Sequence, residues 1–423
     1  METLPDGVAE SLEFEKRNWA KGSVLDDPFY EAPHEASESP LGTLLKIEKN
    51  VDTTKYLLPP TTAFSRFIYQ SETLNGSKVP VSAYVLWPYS PRSQPDGYPV
   101  VAWAHGTSGF DANAGPSHHK NLWQHFLAPY QIALYGYVVV ATDYAGLGVG
   151  KHSSGEPIVH EYMASPSQAN DVIHSVRAAQ AAFPELSKRF VVIGHSQGGG
   201  AAWSVAQRVA IQDVSGYLGA IAVSPYTSVL EEPNEFATIL AAAMCPGLAS
   251  AVPEFRPGDL LTAEGEKRLE MVHRTGAAIS SAVALLSGVD ILKPNWRDNN
   301  HFREYLQRTC NGGKAVKGPL LITHGKSDPV LSPTVVENAV KKTAERFPSA
   351  IQYVSLPNVT HVSALAASQH VWMDWIADRF AGREVESTCR WDELACARPH
   401  NAQQIDQNWY LESATKPYHA PGP

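Results

Sequence analysis

Short, unbroken apolar runs recur along this chain: Tyr98 to Ala104, Tyr137 to Thr142, Phe190 to Ile193, Tyr217 to Val223 and Pro319 to Thr323. Runs of this kind suit strands buried on both faces, as in a parallel sheet. Helical patterns separate several of them. The clearest is Pro166 to Phe183, where Ser165 and Gln168 have capping-box spacing and Pro166 takes the first helical position. Strands alternating with helices predict right-handed βαβ units. Two earlier stretches, Ser65 to Tyr69 and Val81 to Leu86, read as strands, and Asn75-Gly76 between them marks a hairpin turn.

The rhythm fails in three places. Residues 1–60 are polar and dotted with proline, and predict an arm wrapped over the core. Residues 225–316 hold no convincing strand but have helix-like apolar stretches at Phe236 to Met244 and Gly276 to Leu286, which predicts a helical cap inserted between two sheet strands. Residues 383–423 are polar and form an extension that ends in KPYHAPGP. The core is then 61–224 with 317–382, an α/β fold with a mostly parallel central sheet flanked by helices.

Composition narrows the function. The chain has 423 residues, 43% hydrophobic and 18% charged, with a net charge of -9. An acidic balance argues against nucleic acid as partner, since phosphate binding needs a basic surface. The four cysteines are widely spaced, with no C-x-x-C, which suits neither a disulfide framework nor zinc. The N-terminal segment METLPDGVAESLEFEKRNWAKG is acidic and has no apolar h-region. The uncharged stretch Thr275 to Val289 is shorter than the ~18 apolar residues a membrane helix needs. The expectation is a cytoplasmic protein with no stable membrane insertion.

The chemistry centres on FVVIGHSQGGGAAW, from Phe190 to Trp203. A strand leads into Gly194-His195-Ser196-Gln197-Gly198, and a helix of small residues follows. That context predicts a nucleophile elbow, a tight turn that lifts the Ser196 hydroxyl above the sheet. Small neighbours let a strained backbone pass without clashes. A serine needs a base to take its proton and an acid to orient that base. In LLITHGKSDPV, Asp328 lies just past a buried strand. In YVSLPNVTHVSA, His361 follows the strand-like Ile351 to Leu356. The order Ser196, Asp328, His361 is the one expected of this fold. Glu231 or Glu232, after the preceding strand, is the alternative acid. AHGTSG after Val100 to Ala104 supplies the oxyanion loop, with the backbone N–H of Thr107 joining that of Gln197. His105 is read mainly as orienting this loop. Tyr144, His105 and Ser108 are the candidate substrate-side residues. The Gly276 to Leu286 stretch is expected to line an acyl channel, with Ala282 and Ala284 facing it.

Other signals fall away. DYAGLGVGK carries Gly146, Gly148 and Gly150 after a strand, but Lys151 breaks G-x-G-x-x-G and Ala145 breaks the Walker pattern. Asp143 there is read as a turn anchor. HEYMA at His160 lacks the second histidine of H-E-x-x-H, and His118-His119 is read as solvent-facing. No metal or cofactor is expected.

AHGTSG, ATDYAGLG, GHSQGGGAAW, HGKSDPV and NVTH, in this order over roughly residues 60–380, resemble the α/β-hydrolases of the secretory lipase (lipase A-like) group. The resemblance implies Ser196 as nucleophile, Asp328 as acid, His361 as base, and a cap over the active site. Group members are usually exported. Here the sequon Asn358-Val359-Thr360 abuts His361, where a glycan would obstruct the site, while the sequon Asn75-Gly76-Ser77 lies in a harmless hairpin turn. The expected activity is therefore an intracellular esterase on a small, dissolved ester. Other readings are an acyltransferase using the same acyl-enzyme, a secreted lipase, a peptidase, and a non-catalytic ligand-binding relative.

Overall fold

The computed structural model describes residues 4, 5, 7–123 and 128–404. Ten strands form one sheet: β1 Leu44–Glu48, β2 Ala63–Glu72, β3 Lys78–Trp87, β4 Tyr98–Ala104, β5 Val138–Thr142, β6 Leu186–His195, β7 Tyr217–Val223, β8 Leu320–Gly325, β9 Ile351–Leu356 and β10 Cys389–Glu393. Their spatial order is β1-β2-β3-β5-β4-β6-β7-β8-β9-β10. From β5 to β10 every pairing is parallel, and β1, β2 and β3 join by antiparallel pairings. This is the α/β-hydrolase fold. The apolar runs are buried because the sheet is covered on both sides. Along β4, Val100, Ala102 and Ala104 face a core shared with helices Ser165–Ala182 and Gln197–Ile211. Val101 and Trp103 face a second core shared with helix Gln369–Phe380. Side chains alternate across a strand, so one short sequence builds two cores.

Two strands lie outside the sequence expectation. β1 pairs with β2, within the segment read as an irregular arm. β10 pairs with β9, in the polar extension. Both are short, only partly buried edge strands and carry no apolar run. The KPYHAPGP end lies outside the described residues.

Between β7 and β8 stand five α-helices: Phe236–Ala243, Cys245–Ala251, Ala263–Thr275, Ile279–Leu286 and Asn300–Thr309. They pack around their own apolar centre, which includes Leu240, Leu248, Leu269, Leu285 and Phe302. The first 60 residues contribute to it. Helix Val8–Arg17 inserts Val8 and Leu12 into this centre. Its Glu15 carboxylate accepts from the backbone N–H groups of Ala278 and Ser281, each at 3.0 Å, and so caps helix Ile279–Leu286 from a distant part of the chain.

Three local expectations need correction. Ser165 does not cap its helix; it lies inside the first turn, and its hydroxyl accepts from Asn311 at 3.0 Å. His118 and His119 are buried rather than solvent-facing. His118 packs against Trp19 and Tyr30, and His119 Nε2 donates to the Asn113 carbonyl at 2.9 Å. Ala282 is buried in the helical centre and Ala284 is exposed, so neither faces a channel. The four cysteines are unpaired, and no described group of His, Cys, Asp or Glu is arranged to hold a metal.

Asp143, at the end of β5, is fully buried. It accepts from the Ser82 hydroxyl at 2.6 Å, the Ser117 N–H at 2.8 Å and the Ser117 hydroxyl at 2.5 Å. It thus ties β3 and the 116–118 turn to the strand end. Burial pushes its carboxyl up to about 6 despite these bonds. Asp143→Ala removes a shared acceptor from three buried donors and should cost about 3–5 kcal/mol. Asp143→Asn, which keeps one acceptor oxygen, should cost clearly less. Denaturant unfolding of the two variants checks this, and a loss below about 1 kcal/mol for the alanine variant would contradict the anchoring role.

Candidate active site

The turn from β6 into helix Gln197–Ile211 is built by exclusion. Ser196 has φ 58° and ψ −118°, a backbone region that side chains disfavour. A Cβ on Gly194 would lie 2.1 Å from the Gly198 carbonyl oxygen, and one on Gly198 would lie 1.9 Å from the Ala104 carbonyl oxygen. Only glycine fits either position. Ser196 is pinned through its own backbone, its N–H donating to Val223 and its carbonyl accepting from Tyr226, both at 3.0 Å. Its side chain opens onto a cavity of about 240 Å³.

His361 reaches the same cavity from the loop after β9. Its Nδ1 donates to Asp328 Oδ2 at 2.6 Å. Asp328 sits in the turn after β8, with Oδ1 accepting from the N–H groups of Val330 and Leu331 at 2.8 and 2.9 Å. His324 Nε2 stands 3.1 Å from Oδ2. Burial alone would raise this carboxyl, but the imidazoles of His361 and His324 outweigh it and hold the group well below the usual carboxylate range. Ser196, Asp328 and His361 are thus brought together from three strand ends. No hydrogen bond joins Ser196 to His361 in this arrangement among the described residues; both line the cavity.

Thr107 lines the cavity across from them. Gln197 begins its helix, so its N–H has no acceptor within that helix. The remaining wall is mostly apolar, with Tyr162, His195 and Ser280 as its polar members: Trp103, Trp123 and Met163 from the core, Phe236, Leu240 and Ile279 from the inserted helices, and Val330, Leu331 and Leu365 beside Asp328 and His361. No Asp, Glu, Lys or Arg is among the described lining residues.

The candidate substrate-side residues do not line this cavity. Tyr144 is fully buried, stacks on His105 at 4.3 Å and donates to the His105 carbonyl at 3.0 Å. The His105 ring nitrogens stand 2.7 and 3.2 Å from the carbonyls of Gly106 and Asp143, and the neutral ring donates to one of the two. Ser108 is buried, and its carbonyl accepts from Ile279 at 2.9 Å. All three are buried outside the cavity, which the 105–108 loop lines through Gly106 and Thr107. From the Gly276 to Leu286 stretch only Ile279 and Ser280 reach the cavity.

Sequence reasoning passed over His195 and Ser224. His195 donates from Nε2 to the His361 carbonyl at 3.1 Å, its ring 4.7 Å from that of His361. Ser224 donates to the same carbonyl at 3.3 Å. His324 was also missed, although its place at the end of the β8 run, four residues before Asp328, was a readable signal.

The sequence profile of the family described as serine aminopeptidase, S33 matches residues 114–362. The chain belongs to this family and is a hydrolase of the α/β fold. In structure it is similar to Candida antarctica lipase A in its closed state, with TM-score 0.70 and 17% identity over 91% of this chain and 93% of that one. It is also similar to the rice cell wall degrading esterase LipA from Xanthomonas oryzae, with TM-score 0.60 and 18% identity over 82% and 98%. A putative hydrolase from Legionella pneumophila gives TM-score 0.66 and 17% identity over 81% and 99%. No curated protein sequence matches the chain significantly.

The alternative acids separate cleanly. Glu231 pairs with Lys342 at the surface. Glu232 is buried and accepts from the Ser332 N–H at 2.9 Å, and burial pushes its carboxyl up to about 7. A raised folded value means that its stabilising contribution is full below the unfolded value near 4.5 and fades as pH rises through about 7. Glu232→Gln should therefore gain stability relative to the unmodified protein between about pH 5 and pH 8, read by urea unfolding. A difference independent of pH would show that this carboxyl is ionised throughout.

Proposed function

We propose that the protein cleaves carboxylic esters through an acyl-enzyme, with Ser196 as nucleophile, His361 as general base and Asp328 as its orienting anion. The observation that carries this reading is the 2.6 Å Asp328–His361 bond opening onto the cavity that holds the elbow serine. With Nδ1 committed to Asp328, His361 presents Nε2 as the proton acceptor for Ser196. The backbone N–H groups of Thr107 and Gln197 are the donors for the oxyanion. Water then releases the acid. A bulky alcohol in its place makes the enzyme an acyltransferase.

The cavity wall favours an ester over a peptide. An aminopeptidase must hold the ammonium of its substrate, and no carboxylate is among the described lining residues. The size of the cavity favours a compact acyl group. At about 240 Å³ it falls below the ~300–1,000 Å³ of pockets that take drug-sized ligands. The substrate is a dissolved small-molecule ester, and the enzyme works inside the cell, where Asn358 beside the base carries no glycan.

Ser196→Ala and His361→Ala should each lower ester turnover by roughly 10⁴- to 10⁶-fold, and the double variant should be little worse, because the triad acts as a unit. A fluorophosphonate probe should label the unmodified protein and not Ser196→Ala. Labelling that persists in Ser196→Ala removes Ser196 from the mechanism, and no labelling at all points to a binding protein. Asp328→Ala should be severe and Glu232→Ala mild; the reverse pattern would move the acid to the β7 loop.

Across a series of acyl lengths, with and without an alcohol acceptor, kcat/KM should peak at compact acyl groups. It should show no jump when a substrate passes its solubility limit. Strong interfacial activation on a long-chain triglyceride, or a glycan on Asn358 in protein from the native source, would return the enzyme to the secreted lipases.

A further inference from the structure

The stretch His160-Glu161-Tyr162-Met163 has no part in the triad, yet it touches both sides of the proposed oxyanion hole. The Gln197 side-chain amide donates to His160 Nε2 at 3.2 Å, and His160 Nδ1 donates to the Ala145 carbonyl at 2.9 Å. Tyr162 lines the cavity, and its hydroxyl stands 3.0 Å from Thr107 Oγ1. Glu161 anchors the stretch from behind, accepting from the Leu74 N–H at 2.7 Å and the Ser167 hydroxyl at 2.5 Å. Met163 has φ 58°, a left-handed conformation that a non-glycine residue holds only when its surroundings enforce it.

The rings also form a ladder. His105 stacks on Tyr144 at 4.3 Å, Tyr144 on His160 at 6.2 Å, and His160 meets Tyr162 at 6.1 Å. Phe110 packs edge-on against Tyr162 at 4.9 Å. The ladder starts at the backbone of the oxyanion loop and ends on the side chain of the same loop.

Resting on the esterase reading, we propose that Tyr162 is a positioning residue that turns the Thr107 hydroxyl into a third oxyanion donor. The direction of the bond follows from acidity. A phenol is a stronger donor than an aliphatic alcohol, so Tyr162 O–H donates and Thr107 Oγ1 accepts. In this arrangement the Thr107 proton is free to turn away from Tyr162 toward the cavity both residues line. Its donor strength rises because the oxygen already accepts a hydrogen bond. Through the ladder and the Gln197–His160 bond, one segment fixes both halves of the hole before substrate arrives. The charge it stabilises exists only in the transition state, so the effect belongs in kcat and not in KM.

The test uses the full-length protein, a dissolved p-nitrophenyl ester and an organophosphonate whose P–O⁻ oxygen occupies the oxyanion position. Thr107→Val and Tyr162→Phe should each lower kcat, Thr107→Val by about 100-fold and Tyr162→Phe by about tenfold, with KM and thermal midpoint nearly unchanged. Thr107→Ser, which keeps the hydroxyl, should stay within a few-fold of the unmodified enzyme. The double variant Tyr162→Phe/Thr107→Val should be no worse than Thr107→Val alone, and phosphonate inactivation should slow in parallel. A Tyr162→Phe enzyme that keeps its kcat, or losses that multiply in the double variant, overturns the inference while leaving the esterase intact. An unmodified protein inert to both ester and phosphonate brings down the esterase reading and this inference with it.

Discussion

The site depends on one steric constraint, the contact of backbone with backbone at the elbow. Gly198 lies so close to the Ala104 carbonyl that no side chain fits between them, and Gly194 lies equally close to Gly198. This contact presses the start of helix Gln197–Ile211 onto the ends of β4 and β6. It holds Ser196 at a positive φ that the chain would not adopt alone. It also sets the N–H of Gln197 beside the loop that carries Thr107. The sheet below supplies the force: the fully buried runs of β4, β6 and β7 cannot shift without exposing two cores. Strain at one serine is thus held by burial over many residues.

Polar groups behind the cavity extend the same logic. Asp143, Asp171 and Glu161 are buried carboxylates, each satisfied by hydroxyl and backbone donors and none facing a cation at contact distance. They fasten loops to strand ends, where apolar contacts are few. The histidines beside them are held neutral: burial pushes His105 and His195 down to about 3 and His160 to about 4. A neutral imidazole offers one donor and one acceptor in fixed places, which suits a bracing role. Fixed dipoles around a developing oxyanion need no reorganisation when charge appears.

Much of this was legible in the sequence, and the part that was not has a physical cause. The apolar runs marked the buried strands because a doubly covered strand has no polar face. The elbow, Asp328 and His361 were readable because each follows such a run directly. β1 and β10 were not readable, since edge strands need little burial and carry mixed residues such as Leu44-Leu45-Lys46-Ile47-Glu48. Tyr144 and Ser108 were misplaced for a different reason. Sequence adjacency to a loop does not say which of its residues face the cavity, and here Gly106 and Thr107 do while Ser108 and Tyr144 turn into the core. Ala282 was misplaced because a helix of small and apolar residues reads alike whether it packs inward or lines a channel. The reach of Glu15 across more than 260 positions to cap the helix at Ala278 leaves no local pattern at all.

Two carboxyls near the cavity show how environment, not residue type, sets a charge state. Asp328 and Glu232 are both buried carboxyls in loops at the same end of the sheet, and each lies in the field of the other. Asp328 accepts two backbone N–H bonds and faces two imidazoles, so its charge is solvated by the protein. Glu232 accepts from the Ser332 N–H and the Asn234 amide, and its Oε1 has no hydrogen-bond partner. Its charge is left uncompensated, and the negative Asp328 raises its pKa further. The charge on Asp328 therefore disfavours ionisation of Glu232. The carboxyl that keeps its charge is the one bonded to His361. A swap of roles would require new donors at Glu232 Oε1 and a new path for the His361 loop, which His195 and Ser224 hold by its carbonyl. The clamp on that carbonyl therefore fixes which carboxyl His361 faces.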